Sequence, residues 1–465
     1  MASVPASVAA RDNFRRGAML AAGTALAVGA SLTSGLAWAE RESAVAVILP
    51  LAMVGGLGMG ALALHRFEFF VGAILIIRPI LDLVQADIGP AGLDPAGMVS
   101  IMFLIVAAIW LAMKRAEEEA VPLPSFVLPL IAFLGLVVFG IVFSVDRIAS
   151  VTEALRIATV VMILLVLNRL LVNWRTIRFV LFAVLASAIV PIAVAAYQRY
   201  AGVGLTYESS LTFSEAFYRV RGTFTHPNPF ALYLTLVLII GVAVRPHLTF
   251  RGRLAVLALM ASAIPVLFFT YTRTAWIAAF TGLLLVGLLQ SKRLVMMLSL
   301  GIVIAAVSIP SFLGRFSDLT EQVRPTGGTG NSLAWRFQHW EAVLSLDRDP
   351  VFGSGLGTIQ TLAPEEAASH NDFVRLYVET GVLGVAVYAW FLWTLIATAW
   401  RLVARTTLGL ARGLAVAFAG SVAMVMIASL SSNLLRQLVI LWYFAALALL
   451  AVASWRLARR EGNAA

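Results

Sequence analysis

The chain is divided into long apolar runs, and these constrain its fold more than anything else in the sequence. A helix that crosses a bilayer needs roughly 20 apolar residues. About 14 runs approach that length: near 17–38, 44–64, 67–81, 96–113, 126–143, 154–172, 176–198, 229–244, 254–270, 274–290, 293–313, 372–398, 411–432 and 436–456. Backbone N–H and C=O groups cannot be left unpaired in hydrocarbon, so such runs must be helices. Composition agrees: 61% of the 465 residues are hydrophobic and 12% are charged, where a soluble domain has about 45–50% and about 25%. The sequence therefore predicts one all-α integral membrane domain over 1–465, a polytopic bundle of about 12–14 transmembrane helices, several of the runs being short. The chain has no Cys, which rules out disulfides, thiolate metal sites and Cys nucleophiles.

The formal net charge of +10 is not read as a nucleic-acid footprint, because the cations sit in short turns between apolar runs. With the N-terminus inside, 20 of the 34 Lys and Arg residues fall on the cytoplasmic side. They crowd tight turns such as RPHLTFRGR (245–253) and QSKR (290–293). Thirteen, all Arg, fall outside, and Arg78 lies within a span. This alternation follows the positive-inside rule and puts both termini in the cytoplasm. At the N-terminus, Arg15-Arg16, an apolar run and AWA before Glu40 fit either a retained helix or a signal peptide; the length of the run favours the helix.

Two external regions are long enough to carry function. One is 199–228; the other is about 314–371. The second holds the flexible GGTGN (327–331) and then WRFQHWEAVLSL (335–346), where Trp335, Trp340, Val343 and Leu344 recur at helical spacing. That pattern fits an amphipathic helix lying on the membrane surface, and equally a helix packed onto the spans. The EEE at 117–119, beside Lys114 and Arg115, reads as a solvated cytoplasmic turn.

Three of the five His are external: His226, His339 and His370. His370 stands where a long polar stretch meets a new apolar run, and a neutral imidazole is the natural general base at such a place. A lone interfacial His is nevertheless more often structural. Among the external Arg residues, Arg273 sits in the tight turn TYTRTAW (270–276) and Arg221 just before a span, in RGTFTHPNPF (221–230). A guanidinium fork suits phosphate oxygens; snorkelling to lipid headgroups explains an interfacial Arg equally well. No external acids form a close pair at a span end, the nearest being DRD (347–349), and nothing calls for a metal.

Four segments, in order, carry a resemblance: RGTFTHPNPFALYL (221–234), TYTRTAW, WRFQHWEAVLSLDRDPVFGSGLGT (335–358), and His370-Asn371 followed by nine residues, Gly381, two residues and Gly384. Together they resemble the O-antigen ligase and polysaccharide polymerase family of integral membrane glycosyltransferases, with 253–398 as the family-like core. The first 200 residues match it only as hydrophobic spans. The resemblance implies a GT-C-like membrane fold in the bacterial cytoplasmic membrane with an outward-facing site. It implies a donor glycan on a polyprenyl (undecaprenyl) diphosphate and a glycan or glycolipid acceptor, with membrane lipid around the protein, no nucleic acid and no cofactor. Carried over residue by residue, it makes His370 the base and Arg221 and Arg273 the diphosphate ligands, with Arg336 positioning substrate or loop. Asn371 would orient His370 or cap the next helix, and Gly381 and Gly384 would allow close helix packing. Direct displacement of the diphosphate would invert the anomeric carbon. A ligase and a polymerase share this donor chemistry. Protein O-oligosaccharyl transfer is a third acceptor choice, and a flippase or transporter of lipid-linked oligosaccharide is the alternative of a different class.

Overall fold

The computed structural model describes residues 44–83, 95–117, 121–208, 217–308, 332–346, 348–363, 369–407 and 409–463. The run at 17–38, the GGTGN piece and most of the EEE turn lie outside these residues. Every other predicted run is helical over its described residues. In chain order the helices are α1 (Ala44–His65), α2 (Phe67–Leu81), α3 (Pro95–Glu117), α4 (Val127–Gly140), α5 (Arg147–Leu170), α6 (Trp174–Ala186) and α7 (Ile189–Ala201). A short antiparallel ribbon follows, β1 (Thr206–Glu208) with β2 (Phe217–Arg219), in the register Tyr207 opposite Tyr218. Then come α8 (Pro227–Val244), α9 (Phe250–Phe269), α10 (Arg273–Gln290), α11 (Lys292–Ser308), α12 (Ser332–Leu344), α13 (Ile359–Leu362), α14 (Asp372–Arg405), α15 (Gly409–Ser431) and α16 (Leu438–Asn463).

Nine helices among the described residues are long and apolar enough to cross a membrane, α6 and α7 counting as one. The remaining predicted runs form helices too: α1 has 22 residues, and α2, α4 and α11 have 15, 14 and 17. The protein is an all-α, multi-pass membrane protein. Its chain divides into two compact units. The first contains Met1–Ile74 and Val84–Pro95, and the second contains Leu75–Leu83 and Ala96–Ala465. All that follows concerns the second.

Local chemistry sets the helix starts. Asp146 accepts from Ala149 N (3.0 Å) and Asn173 from Thr176 N (2.9 Å), each side chain satisfying one of the N–H groups left over at a helix start. The centre of the unit is built by α8, α15 and α16. α15 packs against α8, α10, α14 and α16, and α16 also against α5 and α6. Between helices in lipid there is no hydrophobic driving force, so close contact and polar stitches supply the cohesion. A Cβ on Gly282 would stand 2.9 Å from Gly420 O, so the α10–α15 crossing needs its glycines. Trp442 Nε1 donates to Thr159 Oγ1 (3.1 Å), and the hydroxyl pairs Tyr388–Ser429 and Ser187–Tyr233 close at 2.6 Å. Such bonds contribute about 0.6–2 kcal/mol each.

Of the two readings for the 335–346 segment, the structure favours the packed helix. Val343 on α12 is fully buried with Ile359 and Val378, and Val374 and Leu346 pack around them. His339, one turn earlier, is buried on the same face, while Phe337 is exposed.

Candidate functional site

His370 occupies a sharp turn immediately before α14. Its φ is +49°, and Tyr271 is the only other non-glycine residue with positive φ among the described residues. The left-handed region costs an L-residue roughly 1–2 kcal/mol, so neighbouring bonds must hold it there. Asn371 Oδ1 accepts from Phe373 N (2.9 Å) and Val374 N (3.3 Å) and starts the helix. Asn371 is therefore a cap, the simpler of its two expected roles. Ser369 O accepts from Trp340 Nε1 (2.6 Å), which ties the turn to α12.

α14 is interrupted at Gly381, whose φ is +65° and ψ −167°. The turn 349–355 docks into this break: Val382 N donates to Pro350 O (3.0 Å), Ser354 N to Val378 O (3.0 Å) and Gly355 N to Glu379 O (2.9 Å). A Cβ at Gly381 would lie 2.2 Å from Val351 C and O. At Gly384 it would lie 1.7 Å from Thr380 Oγ1, on the same helix. The expectation that these glycines serve helix–helix packing is thus corrected. Gly381 receives a loop into a broken helix, and Gly384 makes room for a side chain one turn back.

Below this break is a buried ion cluster. Arg375 Nε donates to Glu379 Oε2 (2.8 Å) and Arg375 Nη2 to Glu153 Oε2 (3.1 Å). Arg156 Nη1 reaches Glu153 Oε1 (2.6 Å). Arg375, Glu379 and Glu153 are almost wholly buried. They join α14 to α5, whose start also meets the 349–357 turn through Ser150 Oγ donating to Leu356 O (2.8 Å). In sequence the external acids form no pair, but in space Glu153 and Glu379 converge on one guanidinium.

The other part of the site is formed by 217–230 and the 270–273 turn, held together by a residue that sequence reasoning passed over. Arg219 is buried and donates to Thr270 O (2.7 Å), Thr272 Oγ1 (2.8 Å) and Asn228 Oδ1 (2.6 Å). Val220 N also donates to Phe269 O (3.2 Å). This brings Arg221, at the end of the ribbon, and Arg273, the first residue of α10, into one cross-linked assembly. Arg221 is half-buried; its Nε reaches Gly204 O (3.3 Å) and its Nη1 reaches Thr225 O (3.2 Å). A guanidinium has more N–H groups than these two bonds use. His226 accepts from Asn228 N at Nδ1 (3.1 Å) and so caps α8.

Electrostatics joins the two parts. Burial pushes the His370 imidazole down to about 4, and the charge of Arg336, then His339 and His226, pushes it the same way. His370 is therefore neutral at pH 7, with Arg336, His339 and His226 around it. Burial also lowers the Arg336 guanidinium, though an Arg remains charged at pH 7. Among the described residues no group of three or more His, Asp or Glu could hold a metal ion.

Of the expected site residues, Arg336, His370 and Asn371 thus stand together. Arg221 and Arg273 belong to the assembly that also carries His226. Sequence reasoning missed Arg219, Asn433 (which contacts the His370 turn) and the Glu153–Arg375–Glu379 cluster. The last had one visible trace, an Arg and a Glu four residues apart on the helix after His370, the spacing of a helical ion pair.

A bundle of apolar helices with histidines, arginines and a buried ion cluster gathered around one broken helix defines a multi-pass membrane protein with a built polar site. A sequence model of the family described as O-antigen ligase matches residues 255–389. The match takes in Arg273, Arg336, His370, Asn371, Gly381 and Gly384; Arg221, His226 and Asn433 fall outside it. A search of curated protein sequences finds no match.

Proposed function

We propose that the protein transfers a glycan from a polyprenyl diphosphate to an acceptor hydroxyl at the outer face of the bacterial cytoplasmic membrane, with His370 as general base. The observation that carries this reading is the neutral, half-buried imidazole of His370 beside Arg336, His339 and His226. A base must be unprotonated to work, and a diphosphate must meet positive charge to leave.

The acceptor O–H gives its proton to His370 as its oxygen attacks the anomeric carbon. The bond from that carbon to the diphosphate oxygen breaks from the opposite side, and the configuration inverts. The diphosphate leaves as an anion without needing a proton, held by Arg221 and Arg273, while Arg336 positions the donor near the imidazole. A bound diphosphate also offsets the surrounding positive charge, so His370 becomes a stronger base when the donor is in place. No step needs a metal ion. The positive-inside distribution supports the outward orientation, and both termini then lie in the cytoplasm.

The transporter alternative is weaker for a specific reason. Arg78, the charge within a span, is paired with Asp82 at 2.8 Å, so it is already neutralised rather than waiting for cargo.

The test is transfer by purified protein supplied with a polyprenyl-diphosphate glycan and candidate acceptors. His370→Ala is expected to lower the rate by about 10²–10⁴-fold, the contribution of a general base, with the protein still folded. Wild-type rates in that variant would sink the assignment. Arg273→Ala and Arg221→Ala should each raise the donor KM and lower kcat. Activity should survive chelators. A ladder of lengthening lipid-linked glycans would identify a polymerase, and a shifted acceptor a ligase.

A further inference from the structure

One atom from the far end of the chain reaches both sides of the left-handed turn at His370. Asn433 lies in the turn between α15 and α16, two of the helices at the centre of the unit, and is itself buried. Its Oδ1 accepts from Ser369 Oγ (2.9 Å) and from Asn371 N (3.2 Å), the residues on either side of His370. Because one partner is a backbone N–H, the atom facing it must be the amide oxygen and not the nitrogen. The grip is reciprocal: Leu435 N, two residues after Asn433, donates to Asp372 Oδ1 (3.2 Å).

We propose that Asn433 is the positioning residue of His370, a two-bond clasp on Ser369 and Asn371 that fixes the backbone conformation from which the imidazole is presented. Asn433 contacts the flanking residues and acts through them; it takes no part in binding the donor. The inference rests on the reading of His370 as the base. Without the clasp, the turn would relax toward ordinary backbone angles and the imidazole would leave its half-buried place. The charged and titratable groups acting on it are Arg336 and His339 from α12 and His226 from the start of α8. A displaced imidazole would escape part of the burial and part of this positive charge.

The experiment compares Asn433→Leu, which has similar size but no acceptor, with Asn433→Asp, which keeps an acceptor oxygen for both donors, and Ser369→Ala, which removes the hydroxyl shared between Asn433 Oδ1 (2.9 Å) and Asn371 O (3.1 Å). In Asn433→Leu, kcat is expected to fall about 100-fold, within the range a misplaced base would cost, with the donor KM unchanged. The acidic limb of its pH–rate profile should move up from about 4 toward the ordinary histidine value. Asn433→Asp should return kcat to within about tenfold of wild type, and Ser369→Ala should lower it about three- to tenfold, small parts of the general-base contribution.

Wild-type kcat in Asn433→Leu would overturn the proposal. So would a loss with the limb unmoved and no rescue by Asn433→Asp, since a merely structural asparagine would only lower the amount of folded enzyme. If Asn433→Leu does not fold, the other two variants decide: a dead, folded Asn433→Asp or an unaltered Ser369→Ala overturns it. His370→Ala separates the two readings. If it stays active, the base assignment is wrong; if it is inactive while the Asn433 variants behave as wild type, only the clasp is wrong.

Discussion

Arg219 and Arg375 are both buried guanidiniums that brace the site, and they are braced in opposite ways. Arg219 donates to three neutral oxygens, those of Thr270, Thr272 and Asn228. Arg375 lies between two carboxylates, Glu153 and Glu379. The three neutral oxygens fix the Arg219 guanidinium by geometry, whereas the two carboxylates also cancel the Arg375 charge. The Arg219 side also holds Arg221 and Arg273, the two cations proposed to meet the diphosphate. The Arg375 side needs rigidity for the His370 turn and the docked 349–355 loop, and a compensated cluster supplies rigidity without adding charge beside the imidazole.

The sharpest way to break this contrast is to remove each cation in turn. Arg375→Ala leaves Glu379 buried without its cation and Glu153 with Arg156 alone, and breaking a buried pair in this way costs about 3–5 kcal/mol. Thermal unfolding in detergent should show the loss, and much of the protein is expected to be unfolded. Arg219→Ala leaves neutral acceptors without donors, at about 1–3 kcal/mol. If the two variants melt at the same temperature, the distinction between the carboxylate brace of Arg375 and the hydrogen-bonded brace of Arg219 is wrong.

Acid titration of the rate asks whether the cationic side reaches His370. With the imidazole held at about 4, kcat/KM should stay flat from neutrality down to about pH 5 and fall only below that, because protonation removes the base. In the donor complex the diphosphate offsets the surrounding charge, so the limb in kcat should lie about one pH unit higher, equivalent to about 1.4 kcal/mol. Coincident limbs would mean that the donor's charge does not meet the field of Arg336, His339 and His226.

The same contrast explains what could be read from the sequence. Apolar runs are local, so the helices from 44–65 to 438–463 were legible, as was His370 at the edge of one of them. The cluster was not, because Arg375 and Glu153 are 222 positions apart and each alone looks like an ordinary external charge. Asn433 gave no signal, since an asparagine in a short turn is usually explained by the turn itself. Arg219 stood two residues from Arg221, and nothing local distinguishes the guanidinium that is buried against Thr270 from the one left half-exposed. For the glycines the spacing was legible and the role was not. A glycine that lets helices approach and one that lets a loop enter a broken helix look alike until Val351 is seen at van der Waals overlap with the missing Cβ.

The smallest expected effect concerns Asn371, which adjoins the base but is built as a cap. Replacing it with Ala removes the acceptor for Phe373 N and Val374 N and should cost about 1 kcal/mol, as N-cap losses do. The backbone N–H of residue 371 survives the substitution, so the bond to Asn433 and the shape of the His370 turn should survive with it. Transfer is then expected to fall by less than about tenfold, far short of the general-base contribution, with the pH limb unmoved. The decisive comparison is with His370→Ala in the same assay. If Asn371→Ala loses as much activity while melting within a degree or two of wild type, the side chain orients the imidazole directly. In that event the rigid side of the site would include Asn371 as a working member and not only as the residue that starts α14.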